Sequence, residues 1–420
     1  MAPVRPSARS TQVDTASLFH RIQSISQTGT TRLAYSPEDI RGRALVMEMM
    51  REVGLRVALD AAGNIVGRRP GRERLPPLAL GSHVDTVRNG GRYDGILGVM
   101  AAIECVGVLQ ETGYTTVHPL EVIVFANEEG QQFGALCGSR AMVGTLGADD
   151  LARKDETGRT LAEAIHGIGG DPKHLQSARR KAGDIAAFVE LHIEQGGTLE
   201  KARVPIGIVE GIAGISHTDV RITGQAAHSG TTSMQIRRDA LAAAAEIVLS
   251  VQKAALENRC QVATVGQLTV LPNATNVIPG EVALTIEIRD LLQERIDATL
   301  EHLRQCREEI ASRSRVNIEF FQRQPIEPVP CSRLVQDAIV ESCAHLGLRF
   351  QRLASGAGHD AQMMAKLGPM GMIFVPSQDG ISHSPREFTA SGDCAQGAQV
   401  LLETILHLDE VLSGTARSDP

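Results

Sequence analysis

At 420 residues the chain exceeds the size at which one hydrophobic core stops growing, so more than one domain is expected. Hydrophobic residues at 42% and charged residues at 22% exclude large-scale disorder, and a net charge of -7 without any lysine or arginine block argues against nucleic acid or an anionic membrane as partner, leaving a small molecule. Seven scattered cysteines without a Cys-x-x-Cys pair exclude a thiolate metal cage and point to a reducing cytosol; no window reaches the ~18 apolar residues of a spanning helix.

Residues 1–10 read as a loose tail. From Asp14 to Gly54 the apolar spacing is helical, with a break near Ser36-Pro37, where a helix could start. Residues 58–68 read as strand, turn and strand. Pro77-Leu78-Ala79-Leu80 is a buried strand running into Gly81-Ser82-His83-Val84-Asp85-Thr86 and, further on, Tyr93-Asp94-Gly95 before a helix over 97–110. Residues two apart in extended chain face the same way, which would let the Asp85 carboxylate take the proton of the His83 ring nitrogen that a metal leaves free. Taken alone, the segment could equally be a glycine-rich turn satisfying its own backbone.

The strand Leu120-Glu121-Val122-Ile123-Val124-Phe125-Ala126 runs straight into Asn127-Glu128-Glu129-Gly130. Adjacent glutamates are usually a solvated pair, but five consecutive apolar residues imply a strand buried on both faces, so these acids emerge at a sheet edge. After helices and loops over 146–182, the strand containing Phe188-Val189-Glu190-Leu191-His192-Ile193 ends in Glu194-Gln195-Gly196. From residue 215 the pattern changes to strand, helix, strand, strand, helix, strand, with alternating strands, as in an antiparallel sheet carrying two helices. Residues after 334 return to helix, strand, helix, strand and a final helix, the strand Met372–Val375 leading into Ser382-His383-Ser384.

The expected fold is therefore α/β: a discontinuous catalytic domain with a mixed, mostly parallel sheet flanked by helices, at 12–213 and 329–415, and an inserted α+β domain of four antiparallel strands and two helices at 214–328. Four strand ends then carry acids or histidines, a coincidence hard to attribute to loops being polar. His83, Asp94, Glu129, His192 and His383 form an imidazole and carboxylate set suited to zinc, manganese, cobalt or nickel. Five ligands are too many for one tetrahedral ion and suit two ions sharing a carboxylate. Such a pair, roughly 3.5–4 Å apart, acidifies water and polarises a carbonyl, as amide-type hydrolysis requires.

These motifs, with Gly358-His359-Asp360-Ala361 and Phe374-Val375-Pro376-Ser377, resemble the dinuclear M20 metallopeptidase superfamily and, within it, the hydantoinase/carbamoylase amidase branch, over residues 15–412. The resemblance implies that Asp94 bridges two divalent ions, that His83 and His192 bind one and Glu129 and His383 the other, with Glu128 as general base and Asp85 behind His83. It implies that the insert is a lid and homodimerisation domain, with its signature at Gly224-Gln225-Ala226-Ala227-His228-Ser229-Gly230. Ser233 stands where that family usually has proline. His228 would stabilise the oxyanion, and Asn276 and Arg289 would hold the substrate; Arg289 could instead pair with Asp290 or cap the sheet edge. Gln195 would contact a ureido group. Gly358 and His359, with Asp360, would belong either to the substrate loop or to the scaffold.

The activity implied is hydrolysis of N-carbamoyl-L-amino acids by a cytoplasmic enzyme. Allantoate amidohydrolase and β-ureidopropionase are the near alternatives. An aminoacylase or dipeptidase is disfavoured by the Gln195 motif, and an inactive metal-binding scaffold by the intact ligand set.

Overall fold

A computed structural model describes residues 12–415, so the tail expected over residues 1–10 lies outside the described residues. The strands in chain order are β1 (Arg56–Leu59), β2 (Ile65–Arg69), β3 (Leu78–His83), β4 (Leu120–Phe125) and β5 (Ala187–Ile193), then β6 (Ile206–Ile212), β7 (Gly214–Thr223), β8 (Ala227–His228), β9 (Val262–Leu271) and β10 (Val277–Ile278). The last five are β11 (Glu281–Asp290), β12 (Asn317–Gln322), β13 (Val329–Pro330), β14 (Phe350–Ser355) and β15 (Met370–Val375). They form two compact units. One runs to Glu210 and resumes over Cys331–Leu353 and from Gly358; the other is Gly211–Pro330 with Ala354–Ala357.

The first unit has the mixed, mostly parallel sheet expected. Its order is β1-β2-β4-β3-β5-β15-β6, with β14 also pairing β6. β3 is parallel to β4 and to β5, and β15 is parallel to β5, so four adjacent strands present their carboxyl ends along one edge. That block is possible because β3, β4, β5 and β15 are buried along their whole length, as continuous apolar runs require. The helix Ile96–Glu111 is apolar all round and buried over fourteen residues, and the helices Thr15–Ser26 and Ser391–Thr415 pack on it. Ser36 caps the helix Pro37–Glu52 by accepting from the Asp39 N–H, and Pro37 sits in the first turn, where a missing N–H costs nothing.

The second unit is an antiparallel sheet in the order β12-β7-β11-β9, packed against the helices Ala240–Leu256 and Gln293–Ser314. Val282, Leu284, Ile286 and Ile288 of β11 alternate inward against Ala243, Ile247, Leu300 and Leu303 of the two helices. Residues 354–357, read from sequence as catalytic-domain chain, go with this unit because the Ala213 N–H donates to Ser355 O and Arg289 reaches Gly356 O. Among the described residues no helix is long and apolar enough to cross a membrane.

Candidate metal centre and active site

The parallel block brings together side chains that are up to 300 residues apart in sequence. His83 is the last residue of β3. Asp94 lies just before the helix Ile96–Glu111, whose first turn has no side-chain cap, and the Gly95 N–H points at His192 Nε2 (3.2 Å). Asn127 and Gln195 each lie two residues past a strand and His383 lies on the loop after β15, and each has a left-handed φ, of 56°, 58° and 52°. These are uncommon conformations for non-glycine residues, and they concentrate at sites that turn a side chain against the run of the backbone. At Asn127 the side chain holds the turn by donating to Gly134 O (3.0 Å), which sets Glu128 and Glu129 over the strand ends.

Asp94 is the centre of the cluster. Its Oδ1 lies 3.5 Å from His83 Nε2 and 3.2 Å from His192 Nε2, while its Oδ2 lies 3.3 Å from His383 Nε2. His83, Asp94 and His192 each offer one ligand atom within 4.8 Å of the others, and so do Asp94, Glu129 and His383. A third grouping of Glu190, His192 and His359 is equally close, but both Glu190 oxygens are taken, by Ser82 Oγ (2.6 Å) and by the Ala361 N–H (3.1 Å). His359 is stacked edge-on against the His192 ring, centroids 4.6 Å apart, and Asp360 accepts from Ser139 Oγ (2.5 Å). Gly358 sits one residue ahead of His359, where a Cβ would lie 3.4 Å from Gln362 Oε1.

The electrostatics are those of an acidic cluster. Among the described residues no lysine or arginine pairs with Asp94, Glu128 or Glu129; their ionic partners are His83, His192 and His383. Burial resists charge on His83, but Glu128, Asp94 and Asp85 outweigh it and hold the imidazole well above its usual pKa. Burial and the nearby Asp360 and Glu129 carboxylates push Glu128 well above the carboxylate range, with His83 opposing. Burial, with Asp94, lifts Glu129 to about 7. The hydrogen bond to Asp94 lifts His383 to about 9 against partial burial. A nitrogen and oxygen donor set, buried except at His383 and with more acid than base, fits divalent first-row cations, which would supply the missing positive charge.

Three side chains have partners other than those expected. The His83 Nδ1 proton goes to the main-chain oxygen of Asp85 (3.0 Å), not to its carboxylate, which lies at 3.7 Å and instead accepts the N–H groups of Glu128 (3.3 Å) and Glu129 (3.2 Å). β3 ends at His83, so the alternation that would set Asp85 beside the ring does not continue. His192 Nδ1 likewise donates to a backbone oxygen, that of Ile193 (2.9 Å). Arg289 pairs with Glu287 (Nε to Oε1, 2.8 Å), which shares its face of β11, whereas Asp290 points the other way and pairs with Arg295. Gln195, expected on substrate, donates Nε2–H to Asp94 Oδ2 (2.7 Å), leaving its Oε1 buried without a partner.

In the second unit His228 pairs across β8 and β10 with Val277, and the main-chain oxygen of Asn276 takes the Ser229 N–H. His228 Nδ1 accepts from the Gly230 N–H (3.0 Å) and lies 3.3 Å from the Thr231 nitrogen, so the ring proton of the neutral imidazole is on Nε2, a free donor. Ser233 has φ -56°, the value a proline would fix, so the serine there leaves the backbone path unchanged. Ser382 and Glu387, which the sequence reading missed, bond directly to the Asp94 segment.

Residues 79–407 match the model of peptidase family M20/M25/M40. The chain is 45% identical over 399 residues to an N-carbamoyl-L-amino acid amidohydrolase of Geobacillus stearothermophilus, covering 93% of this chain and 98% of that one. It is 37% identical over 385 residues to an allantoate amidohydrolase of Bacillus subtilis, covering 90% and 93%. The crystal structure of a hydantoinase/carbamoylase family amidase from Burkholderia multivorans superposes with a TM-score of 0.89 at 35% identity, covering 95% of this chain and 98% of that one. The likeness extends over both units of the fold and over the strand ends that hold the buried donors, and on that basis this chain belongs to peptidase family M20/M25/M40, as an amidohydrolase of its hydantoinase/carbamoylase branch.

Proposed function

We propose that the chain is a two-metal hydrolase that cleaves the ureido C–N bond of N-carbamoyl-L-amino acids. The observation that carries this reading is the division of Asp94, with one oxygen turned to His83 and His192 and the other to His383. His83, His192 and Asp94 would hold one ion, and Asp94, Glu129 and His383 the other. When bound, a pair of zinc, manganese, cobalt or nickel ions would supply a Lewis acid and a water of lowered pKa.

Glu128, buried and within 3.8 Å of His83, takes a proton from the attacking water and hands it to the leaving nitrogen, the two-way role that a raised carboxylate pKa suits. The oxygen attacks the carbamoyl carbon. The bond from that carbon to the amino acid nitrogen then breaks, releasing amino acid and carbamic acid, which falls to ammonia and carbon dioxide. His228 offers its Nε2–H to the oxyanion, and Arg289 and Asn276 hold the acid group. The substrate identity leans on the 45% identical relative, an N-carbamoyl-L-amino acid amidohydrolase by name.

The second unit serves as a lid and homodimerisation domain. His228 and Asn276 lie beyond the Glu281 end of β11, since the Gly224 N–H bonds Gly280 O there, while Arg289 is eight residues along the strand at its other end. At about 3.3 Å per residue that is roughly 25 Å, far longer than a ureido acid. The guanidinium is also held at its own end by Glu287 and Gly356 O. The two groups therefore serve one substrate when they come from different copies of the chain. None of the seven cysteines is in a disulfide, which supports a cytoplasmic location.

The test is ammonia release by manganese- or cobalt-loaded protein from N-carbamoyl-L-amino acids, N-carbamoyl-β-alanine and allantoate. Turnover of the first class is expected. Preference for allantoate would move the assignment to that amidohydrolase, and turnover of dipeptides or acetylated amino acids alone would end the ureidase reading.

A further inference from the structure

Glu387 is buried at 3% exposure, on a loop 293 residues from Asp94, and uses both of its oxygens on the Asp94 neighbourhood. Oε1 accepts the N–H groups of Tyr93 (2.8 Å) and Asp94 (3.1 Å). Oε2 lies 2.9 Å from Ser382 Oγ, which is itself 2.9 Å from Asp94 Oδ2. Gly91 makes the approach possible: a Cβ there would meet Oε1 at 1.8 Å, so the carboxylate occupies the space that any other residue would fill. Two backbone donors and one hydroxyl on a single buried carboxylate are a built arrangement, and nothing in the hydrolytic steps uses it.

What the arrangement joins decides its purpose. His83 and His192 end strands of the sheet, and their rings are fixed through main-chain oxygens of Asp85 and Ile193. His383 has neither support. It lies eight residues past β15 on a loop, in a left-handed conformation, with its side chain 49% exposed. The neighbour of that histidine, Ser382, is tied to Glu387, and Glu387 is tied to the backbone of Asp94.

We infer that Glu387 is a positioning residue that clamps the His383 loop to the Asp94 turn and so assembles the Asp94, Glu129 and His383 cation site, while leaving the His83, Asp94 and His192 site to the sheet. The inference rests on the two-ion reading above. The clamp works by geometry. A glutamine at 387 keeps it, because its oxygen accepts the same two N–H groups and its Nε2–H donates to Ser382 Oγ, which frees the serine proton for Asp94. An alanine removes both ties.

The experiment is a titration of metal-free full-length protein with Co2+, followed by calorimetry and by visible absorption, which reports each site without turnover. Glu387→Ala should weaken the second equivalent about 10–100-fold, the range for removing a partner behind a metal ligand, and leave the first within about threefold. Glu387→Gln should bind both equivalents as wild type does, and Ser382→Ala should weaken the second in the same direction by less. Ser382→Ala keeps the inference testable if Glu387→Ala fails to fold. Two equivalents bound alike by wild type, Glu387→Ala and Ser382→Ala would overturn the clamp. So would a Gln variant that loses the second ion as fully as Ala, since charge rather than geometry would then be at work. Wild-type protein that binds two ions but releases no ammonia from carbamoyl acids would sink the substrate assignment and leave the clamp standing.

Discussion

His228→Ala and Arg289→Ala, each inactive by itself, should restore one another when present in the same dimer. The expectation follows from the proposed dimeric site and from β11: His228 lies beyond one end of this ten-residue strand and Arg289 is near the other, roughly 25 Å apart at about 3.3 Å per residue, so under that proposal one substrate would meet the arginine of one copy and the histidine of the other. Loss of an oxyanion donor costs about 10²–10³ in kcat, so each single variant should be nearly silent. In a dimer carrying one chain of each kind, one site receives both intact residues and the other receives neither. A heterodimer isolated through two different tags should therefore show about half the wild-type turnover per dimer, and an unsorted equal mixture about a quarter, since half of its dimers are mixed. Ammonia release at saturating substrate is the assay. A purified heterodimer no more active than its parents would refute the two-copy site and return both residues to one chain.

Further outcomes bear on the metal centre and the base. Glu128→Gln should retain its bound metal, measured by elemental analysis, while turnover falls about 10²–10⁴-fold, the usual share of a general base; a variant that turns over normally would remove Glu128 from that role. Because Asp94 lifts the His383 imidazole to about 9 and burial lifts Glu129 to about 7, the metal-free chain carries protons that a cation must displace. Co2+ affinity should thus rise with pH, about tenfold per unit for each displaced proton, and level off above the His383 value; a flat profile would contradict it. Gly95→Ala should abolish tight binding at the first site and destabilise the fold by roughly 1–3 kcal/mol, seen as a lowered Tm. Gly95 has φ +68°, and a Cβ there would meet the His83 ring at 2.5 Å.

The parts of this site that could be read from the sequence are those governed by periodicity. Apolar runs ending in His83, Glu128-Glu129 and His192 announce buried parallel strands, and the strand pairing brings their ends to one edge. What stayed hidden depends on where the backbone leaves that periodicity. Asp85 looked like the orienting partner of His83 because extended chain alternates, but the strand stops at His83 and the carboxylate turns to the Glu128 and Glu129 N–H groups. Glu387 gave no signal at all: its partners are main-chain donors of Tyr93 and Asp94, and a backbone N–H has no residue identity to recognise. Arg289 shows the reverse case, since strand alternation places Glu287 and not Asp290 on its face.

The insert leaves and rejoins the first unit at a narrow seam. Glu210 O receives the Cys331 N–H (3.0 Å), so the two ends of a 120-residue excursion are a single hydrogen bond apart. A scaffold joined in this way sets no requirement on the length or design of what is spliced between those ends, because the flanking strands are already registered without it. Evolution could therefore exchange or remodel the grafted module without disturbing the strand edge on which the histidines and carboxylates of the first unit stand.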